Sequence, residues 1–268
     1  MQLDLADEIV VVVGGARGIG LAIATEFLQE GAVVALLDRD AVVLQAAAEL
    51  AERFSYRCVG WQADVTDTAV MQRVAAEIAD RWGGCQHLVF AAGLGSGKFG
   101  FPFWNLAPAD WPRVVEVNLL GAVHTLHAFR EQLCQRGAGS VLLISSVAGQ
   151  IGSQTDPPYS AAKAGLINFG QCAAKDFAPF GIRVNTICPG MIRTELNRSV
   201  YEAWARQHPE APQTYAEWAE AKIRLVVPLQ RWQEPEDIAA MAVLLASRRG
   251  RNITGQTINI DGGFVMHW

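Results

Sequence analysis

Strand-length apolar runs alternate with helix-length amphipathic stretches along the whole sequence, and this alternation restricts the fold more than any other feature. Strands are expected at 9–13, 33–37, 58–63, 87–91, 140–144, 183–188 and 256–260. Helices are expected at 19–29, 41–53, 69–81, 111–136, 160–177 and 236–246. Strand–helix–strand units with right-handed crossovers make neighbouring strands parallel. The strand runs are continuously apolar, which marks strands buried on both faces. The expectation is an α/β fold, a doubly wound parallel sheet of about seven strands with helices on both faces. No internal repeat, low-complexity tract or linker interrupts the 268 residues, so residues 1–268 read as a single domain.

One segment breaks the rhythm. Residues 193–227 carry no strand pattern but hold Tyr201, Trp204, Tyr215 and Trp218, with Pro209 and Pro212 between them. They read as one or two short helices on loops. Such an excursion is either a substrate lid or a contact between subunits, and the lid is the favoured reading.

The net charge of −5 comes without a basic stripe, so nucleic acid is not an expected partner. No apolar run reaches the length of a membrane span. The first residues carry neither the basic region nor the apolar core of a leader, and a cytoplasmic protein is expected. Cys58, Cys85, Cys134, Cys172 and Cys188 lack CxxC spacing and read as small buried hydrophobes. His124 and His127, three apart on an expected helix, read as packing or interface residues, and no metal is expected.

The first strand run ends in Gly14-Gly15-Ala16-Arg17-Gly18-Ile19-Gly20, and a helix follows. Glycine allows a sharp turn and lets a pyrophosphate approach the backbone, while the helix presents its N–H groups and positive dipole end. Gly14, Gly18 and Gly20 carry this signal, with Arg17 and Ile19 in the same turn. Between a first strand and a first helix it points to a Rossmann-type dinucleotide site. Asp38 ends the second strand, where a carboxylate can accept both ribose hydroxyls of NAD and repels the extra phosphate of NADP. Arg39, like Arg17, could instead hold that phosphate. NAD is the expected cofactor and NADP the less favoured one. Asp64-Val65 closes the third strand. Asp64 either bonds the adenine or caps the helix after Thr66, and Val65 offers a backbone contact.

Tyr159 and Lys163 are four apart at the start of an expected helix, so both lie on one face. An ammonium beside a phenol lowers its pKa and makes it usable as an acid/base near neutral pH. Ser145 and Ser146 end the fifth strand, at the carboxyl edge where ligands bind in open α/β sheets. One of them can hold a substrate oxygen beside Tyr159. A nucleophilic serine is not expected, because no histidine lies in reach of the motif and no nucleophile elbow is present.

Taken together, the motifs resemble the short, single-domain branch of the short-chain dehydrogenase/reductase family over about residues 6–263. They are Gly14-x-x-x-Gly18-Ile19-Gly20, Asp64-Val65, Ala91-Ala92-Gly93, Val117-Asn118-Leu119, Ile144-Ser145-Ser146, Tyr159-x-x-x-Lys163, Arg183-Val184-Asn185, Pro189-Gly190-Met191-Ile192-Arg193-Thr194 and Asp261-Gly262-Gly263. The resemblance implies that Tyr159 is the general acid/base and that Lys163 lowers its pKa and holds the nicotinamide ribose. It implies that Ser146 orients the carbonyl, with Ser145 the less favoured substitute, and that Asn118 anchors a water chain to Lys163. It also implies cofactor contacts from Ala92 and Gly93, and from Ile192 and Thr194 once Pro189 and Gly190 have turned the chain. Two positions depart from the family pattern: Val13 stands where threonine is frequent, and Ala91 where asparagine is usual. Neither touches the chemistry.

The expected reaction is a reversible hydride transfer between NAD and a secondary alcohol or ketone. The alternatives are an NADP-dependent 3-oxoacyl or ketone reductase, and a non-catalytic nucleotide-sensing protein, which the presence of both Tyr159 and Lys163 disfavours. Phe99, Phe101, Phe103 and Trp104 either wall an apolar pocket or pack their own loop. Gln154, Asp156, Asn197 and Arg198 could read hydroxyls, which leans toward a small polar or sugar-derived substrate. The resemblance also implies a homotetramer, with the helices at 111–136 and 160–177 and the apolar tail Phe264-Val265-Met266-His267-Trp268 as contacts.

Overall fold

Successive residues of a strand point to opposite faces of the sheet, and in this protein both faces are covered. The computed structural model describes residues 2–153, 155–210 and 212–266. Strands β1 (Ile9–Val13), β2 (Val33–Asp38), β3 (Cys58–Gln62), β4 (His87–Phe90), β5 (Gly139–Ile144), β6 (Ile182–Pro189) and β7 (Thr257–Ile260) form one parallel sheet in the order β3-β2-β1-β4-β5-β6-β7. The helices are α1 (Gly18–Gln29), α2 (Val42–Arg53), α3 (Thr68–Trp82), α4 (Pro112–Val115), α5 (Gly121–Arg136), α6 (Pro157–Phe177), α7 (Glu195–Gln207), α8 (Tyr215–Val226) and α9 (Pro235–Ala246).

Val10, Val12, Val34 and Leu36 pack with α1, α2 and α9 on one face. Val11, Val13, Ala35 and Leu37 pack with α3, α5 and α6 on the other. This two-sided burial is why no apolar/polar alternation appears in the sequence. The strand order reverses between β1 and β4, and both strands end at the same edge of the sheet. A ligand crevice forms at such a switch point.

Several boundaries differ from expectation. The helix expected at 160–177 starts three residues earlier, at Pro157, because a proline at the first helical position loses no bond it could have made. The helix expected at 111–136 contains a π turn at Glu116–Leu120 between α4 and α5. Residues 193–227 fold as α7 and α8, two helices of 13 and 12 residues. Cys58, Cys85 and Cys188 are buried as expected, whereas Cys172 lies on an exposed face of α6 and is no core residue.

The Arg183-Val184-Asn185 motif is structural here. Arg183 donates to the carbonyls of Leu245 and Ala246 at the end of α9, and to those of Ser247 and Gly250 in the turn that follows. A cation at a helix C-terminus is favoured by the dipole as well as by these bonds. Asn185 ties β6 to Ile253 and Gln256. Among the described residues, no helix is long and apolar enough to cross a membrane.

Candidate active site

The turn after β1 is built from backbone pressed against backbone. Gly14 has φ +83°, and a Cβ there would lie 2.5 Å from the Ala92 amide nitrogen. A Cβ on Gly20 would lie 2.0 Å from the Gly14 carbonyl oxygen. The amides of Gly14 and Gly15 both bond the Leu37 carbonyl, at 2.7 and 3.1 Å, which fixes the turn to the end of β2. Arg17, at the N-cap of α1, makes no capping bond, and the first turn holds no acidic side chain. The first-turn N–H groups, Ile19 among them, therefore keep their anion-binding capacity. A Cβ on Gly18 would meet only Thr194 Cγ2, at 3.7 Å, so the glycine turn and the segment after β6 face one another across a narrow gap. An uncapped helix start, a side-chain-free cradle and a facing loop fit a dinucleotide pyrophosphate.

Beside this cradle, Asp38 accepts from the amides of Ala16 (3.2 Å) and Asp40 (3.0 Å). Arg17 is paired with Asp40 and, at 2.8 Å, with Glu195. The Arg39 side chain makes no ion pair among the described residues. Asp64 does not cap a helix: Asp67 caps α3 by accepting from the Val70 amide at 3.0 Å. Asp64 instead accepts from the Thr66 amide and hydroxyl, at 2.9 and 2.8 Å, and pairs with Arg113. Burial pushes its carboxyl up, but those bonds outweigh burial and hold it below the usual range. The Val65 carbonyl accepts from His124 Nδ1 at 2.9 Å, which gives that histidine a packing role.

The acid/base end lies on the first turns of α6. Lys163 is buried and donates to the Ile144 carbonyl at 2.8 Å, with its Nζ 5.6 Å from the centre of the Tyr159 ring. The two share one helix face, as their spacing requires. The acidity differs from expectation. Loss of water around the Tyr159 phenol pushes it up to about 12, against a lowering bond from Ser146; Asp156 and Cys188 raise it further. Burial pulls the Lys163 ammonium down to about 8. Desolvation outweighs charge–charge attraction because the ammonium is bonded to a carbonyl and not to the phenol oxygen.

Ser145 and Ser146 separate cleanly. Ser145 donates to the Lys163 carbonyl at 2.8 Å and is a packing residue. Ser146 accepts from the Ala148 amide at 3.1 Å, which leaves its proton to donate elsewhere. Asn118 sits in the π turn. Its side-chain amide donates to the Val114 carbonyl (2.8 Å) and to Leu94 (2.7 Å), while its Oδ1 is buried without a partner. A Cβ on Gly93 would lie 2.9 Å from that Oδ1 and 3.3 Å from Lys163 Nζ, so Gly93, Asn118 and Lys163 meet at one point. Pro189 ends β6, and Gly190 packs so tightly on Asp261 that a Cβ would sit 2.7 Å from its Cα. Ile192 is buried in the core and bridges to Gln233, so it can offer only main chain. Thr194 caps α7.

Around this point, the loop aromatics Phe101, Phe103 and Trp104 are exposed. Phe103 and Trp104 are 64% and 71% exposed, and their rings meet edge to face at 5.2 Å. Phe99 packs edge-on to His208, and the loop is tied to α7 through Arg206 and Gln207. Asp156 is buried and accepts from the Ser96 amide at 2.7 Å. Asn197 accepts from the Tyr215 hydroxyl at 3.0 Å, and Arg198 lies over the Tyr215 ring. Gln154, His267 and Trp268 lie outside the described residues. Sequence reasoning missed Asp40 and Glu195, which nothing in their local patterns singles out.

Comparison with known proteins gives the chain its relatives. A family model described as enoyl-(acyl carrier protein) reductase matches residues 14–265. An acetoacetyl-CoA reductase of Synechocystis sp. is 34% identical, over 98% of this chain and 98% of its own. An NAD-dependent glycerol dehydrogenase of Listeria innocua is 30% identical, over 99% of this chain and 96% of its own. Among solved structures, L-sorbose reductase from Gluconobacter frateurii, complexed with NADPH and L-sorbose, superimposes with a TM-score of 0.91 at 26% identity, covering 100% of both chains.

Proposed function

The chain belongs to the short-chain dehydrogenase/reductase family of oxidoreductases acting on alcohol and ketone groups, and from that premise we propose that it moves a hydride between NAD and a secondary alcohol or the matching ketone, with Tyr159 as general acid/base. The carrying observation is that Tyr159, Ser146, Lys163 and Asn118 converge beside a glycine turn with an uncapped helix start. Asp38 would take the ribose hydroxyls, Asp64 and Val65 the adenine, and Ile192 and Thr194 the nicotinamide and phosphate end. When bound, the dinucleotide supplies the hydride donor or acceptor. With its phenol near 12, Tyr159 is protonated at neutral pH and donates that proton to the oxygen of a carbonyl under reduction. Ser146 donates to the same oxygen and steadies its growing charge. Lys163, with its ammonium near 8, is mostly charged at neutral pH and favours the phenolate left behind. The unpartnered Asn118 Oδ1 can hold a water that returns a proton to Lys163.

The favoured substrate is small and hydroxylated, with Asp156, Asn197 and Arg198 as candidate readers and α7–α8 as the lid. Initial rates with NAD and NADP over polyols, sugars and hydroxyacyl thioesters test this; NAD-linked turnover of a polyol or sugar is expected. A clear preference for NADP with thioesters would establish the second reading, a 3-oxoacyl or ketone reductase, which the unpaired Arg39 favours.

The Asp156 carboxylate raises the Tyr159 phenol. Asp156→Asn removes that charge, so the phenol should ionise at lower pH. The alkaline limb of the reductive rate, which needs the protonated phenol, is then expected to move to lower pH. A kcat–pH profile measures it, and a limb left in place or moved upward contradicts the assignment.

Self-association as a homotetramer is part of the proposal. It is supported by a groove between α5 and α6 whose floor holds Leu126, Phe169, Ala173, Phe177 and Phe180 and whose lining also includes Arg130, Glu131 and Asp176, and light scattering reads the mass directly. A cytoplasmic location fits the five unpaired thiols.

A further inference from the structure

Arg17 is the one cation in the glycine turn, and its guanidinium is already spoken for. One nitrogen, Nη2, bonds Asp40, and the other, Nη1, bonds Glu195 Oε2 at 2.8 Å. Asp40 lies two residues past the end of β2, and its second carboxylate oxygen accepts from the Val42 amide at 3.1 Å, which holds the side chain in place. Glu195 opens α7, 178 residues along the chain from Arg17. The contact between the missing Gly18 Cβ and Thr194, at 3.7 Å, independently places the start of α7 against this turn. Asp38, whose oxygens are aimed by the Ala16 and Asp40 amides, completes a corner with three carboxylates around one arginine.

A 2′-phosphate could not use Arg17 as it stands, and although the neighbouring Arg39 makes no ion pair among the described residues, three carboxylates against two arginines leave the corner net negative. We propose that Asp40 and Glu195 are specificity residues that disfavour NADP by occupying Arg17, so that cofactor choice is set jointly by the end of β2 and by the first residue of α7. The inference rests on the NAD reading above and gives it a mechanism beyond Asp38. The pairs are open to solvent, with side-chain exposures of 48% for Arg17, 42% for Asp40 and 74% for Glu195. Exposed pairs are weak and exchange readily, so each carboxylate contributes modestly and the two must be removed together for the full effect.

The test is titration calorimetry of NAD and NADP with the full chain, in wild type, Asp40→Asn, Glu195→Gln and the double variant. Arg17, Asp40 and Glu195 all reach the surface, and matching thermal melts would confirm the fold. The double variant is expected to bind NADP about 10-fold more tightly than wild type, roughly the gain of one charge-assisted contact, with NAD affinity within about 3-fold. Adding Arg17→Leu to the double variant should abolish the gain. An unchanged NADP affinity in the double variant, or a gain that survives Arg17→Leu, overturns the proposal. A wild type that binds NADP more tightly than NAD overturns the NAD reading itself, and that outcome is visible before any variant is made.

Discussion

Tyr159→Phe is expected to lower turnover by about 10²–10⁴-fold, the usual worth of a positioned acid/base, while the dinucleotide affinity changes only a few-fold. The ring is kept, so packing around it and its approach to Lys163, 5.6 Å from ring centre to ammonium, are preserved. The one thing lost is the proton at the phenol oxygen. Ser146 can orient a carbonyl but cannot protonate it at neutral pH, and Lys163 is held on the Ile144 carbonyl. Steady-state kinetics with calorimetric binding separates the two quantities. Turnover within 10-fold of wild type would remove Tyr159 from the chemistry, and loss of binding together with turnover would mean that the residue is structural.

Gly14→Ala and Gly20→Ala are expected to destroy the cofactor cradle. At Gly14 two costs combine: a side chain at φ +83°, and a Cβ 2.5 Å from a backbone nitrogen. The first costs about 1–3 kcal/mol and the second about 1–3 kcal/mol of overpacking. For a chain of this size that is a fall in Tm of roughly 5–20 °C. At Gly20 the Cβ would sit 2.0 Å from the Gly14 oxygen, so the turn and the start of α1 must part. Dinucleotide binding should fall below detection in both. Gly152→Ala is the control, since no atom lies within 4 Å of its added Cβ. Its unfolding free energy and its binding free energy should match wild type within about 0.5 kcal/mol. Melts and calorimetry measure all three, and a Gly20→Ala variant that binds normally would mean the turn is not where the phosphates rest.

The sheet was legible because its strands are buried on both sides. Runs such as Ile9–Val13 are strand-length, β-branched and continuously apolar, and Gly14 marks where this one ends. The site was legible where its parts are close in sequence: Tyr159 with Lys163, and Gly14 with Gly18 and Gly20. It was not legible where tertiary packing decides. The Arg17–Glu195 pair joins positions 178 apart. The phenol's acidity depends on how much water the fold removes, and that quantity has no local signature; neighbouring charge alone predicts the wrong direction. Asp64 could be read from the sequence as a cap, and only the path of the chain into α3 shows Asp67 in that place. Phe103 and Trp104 show the converse, since a dense aromatic cluster turned out to face water.

The π turn at Glu116–Leu120 inserts one extra residue into what would otherwise be an uninterrupted α-helix. One residue corresponds to about 100° of rotation, so the 16 residues of α5 are set out of phase with α4. Deleting any single residue in this turn would shorten the loop-free rod by a trivial amount. It would nevertheless swing Phe129 and Leu133 off the sheet and present polar side chains to the hydrophobic layer beneath. Length tolerance in this protein is therefore poor inside this helix, where insertions and deletions are seldom sought.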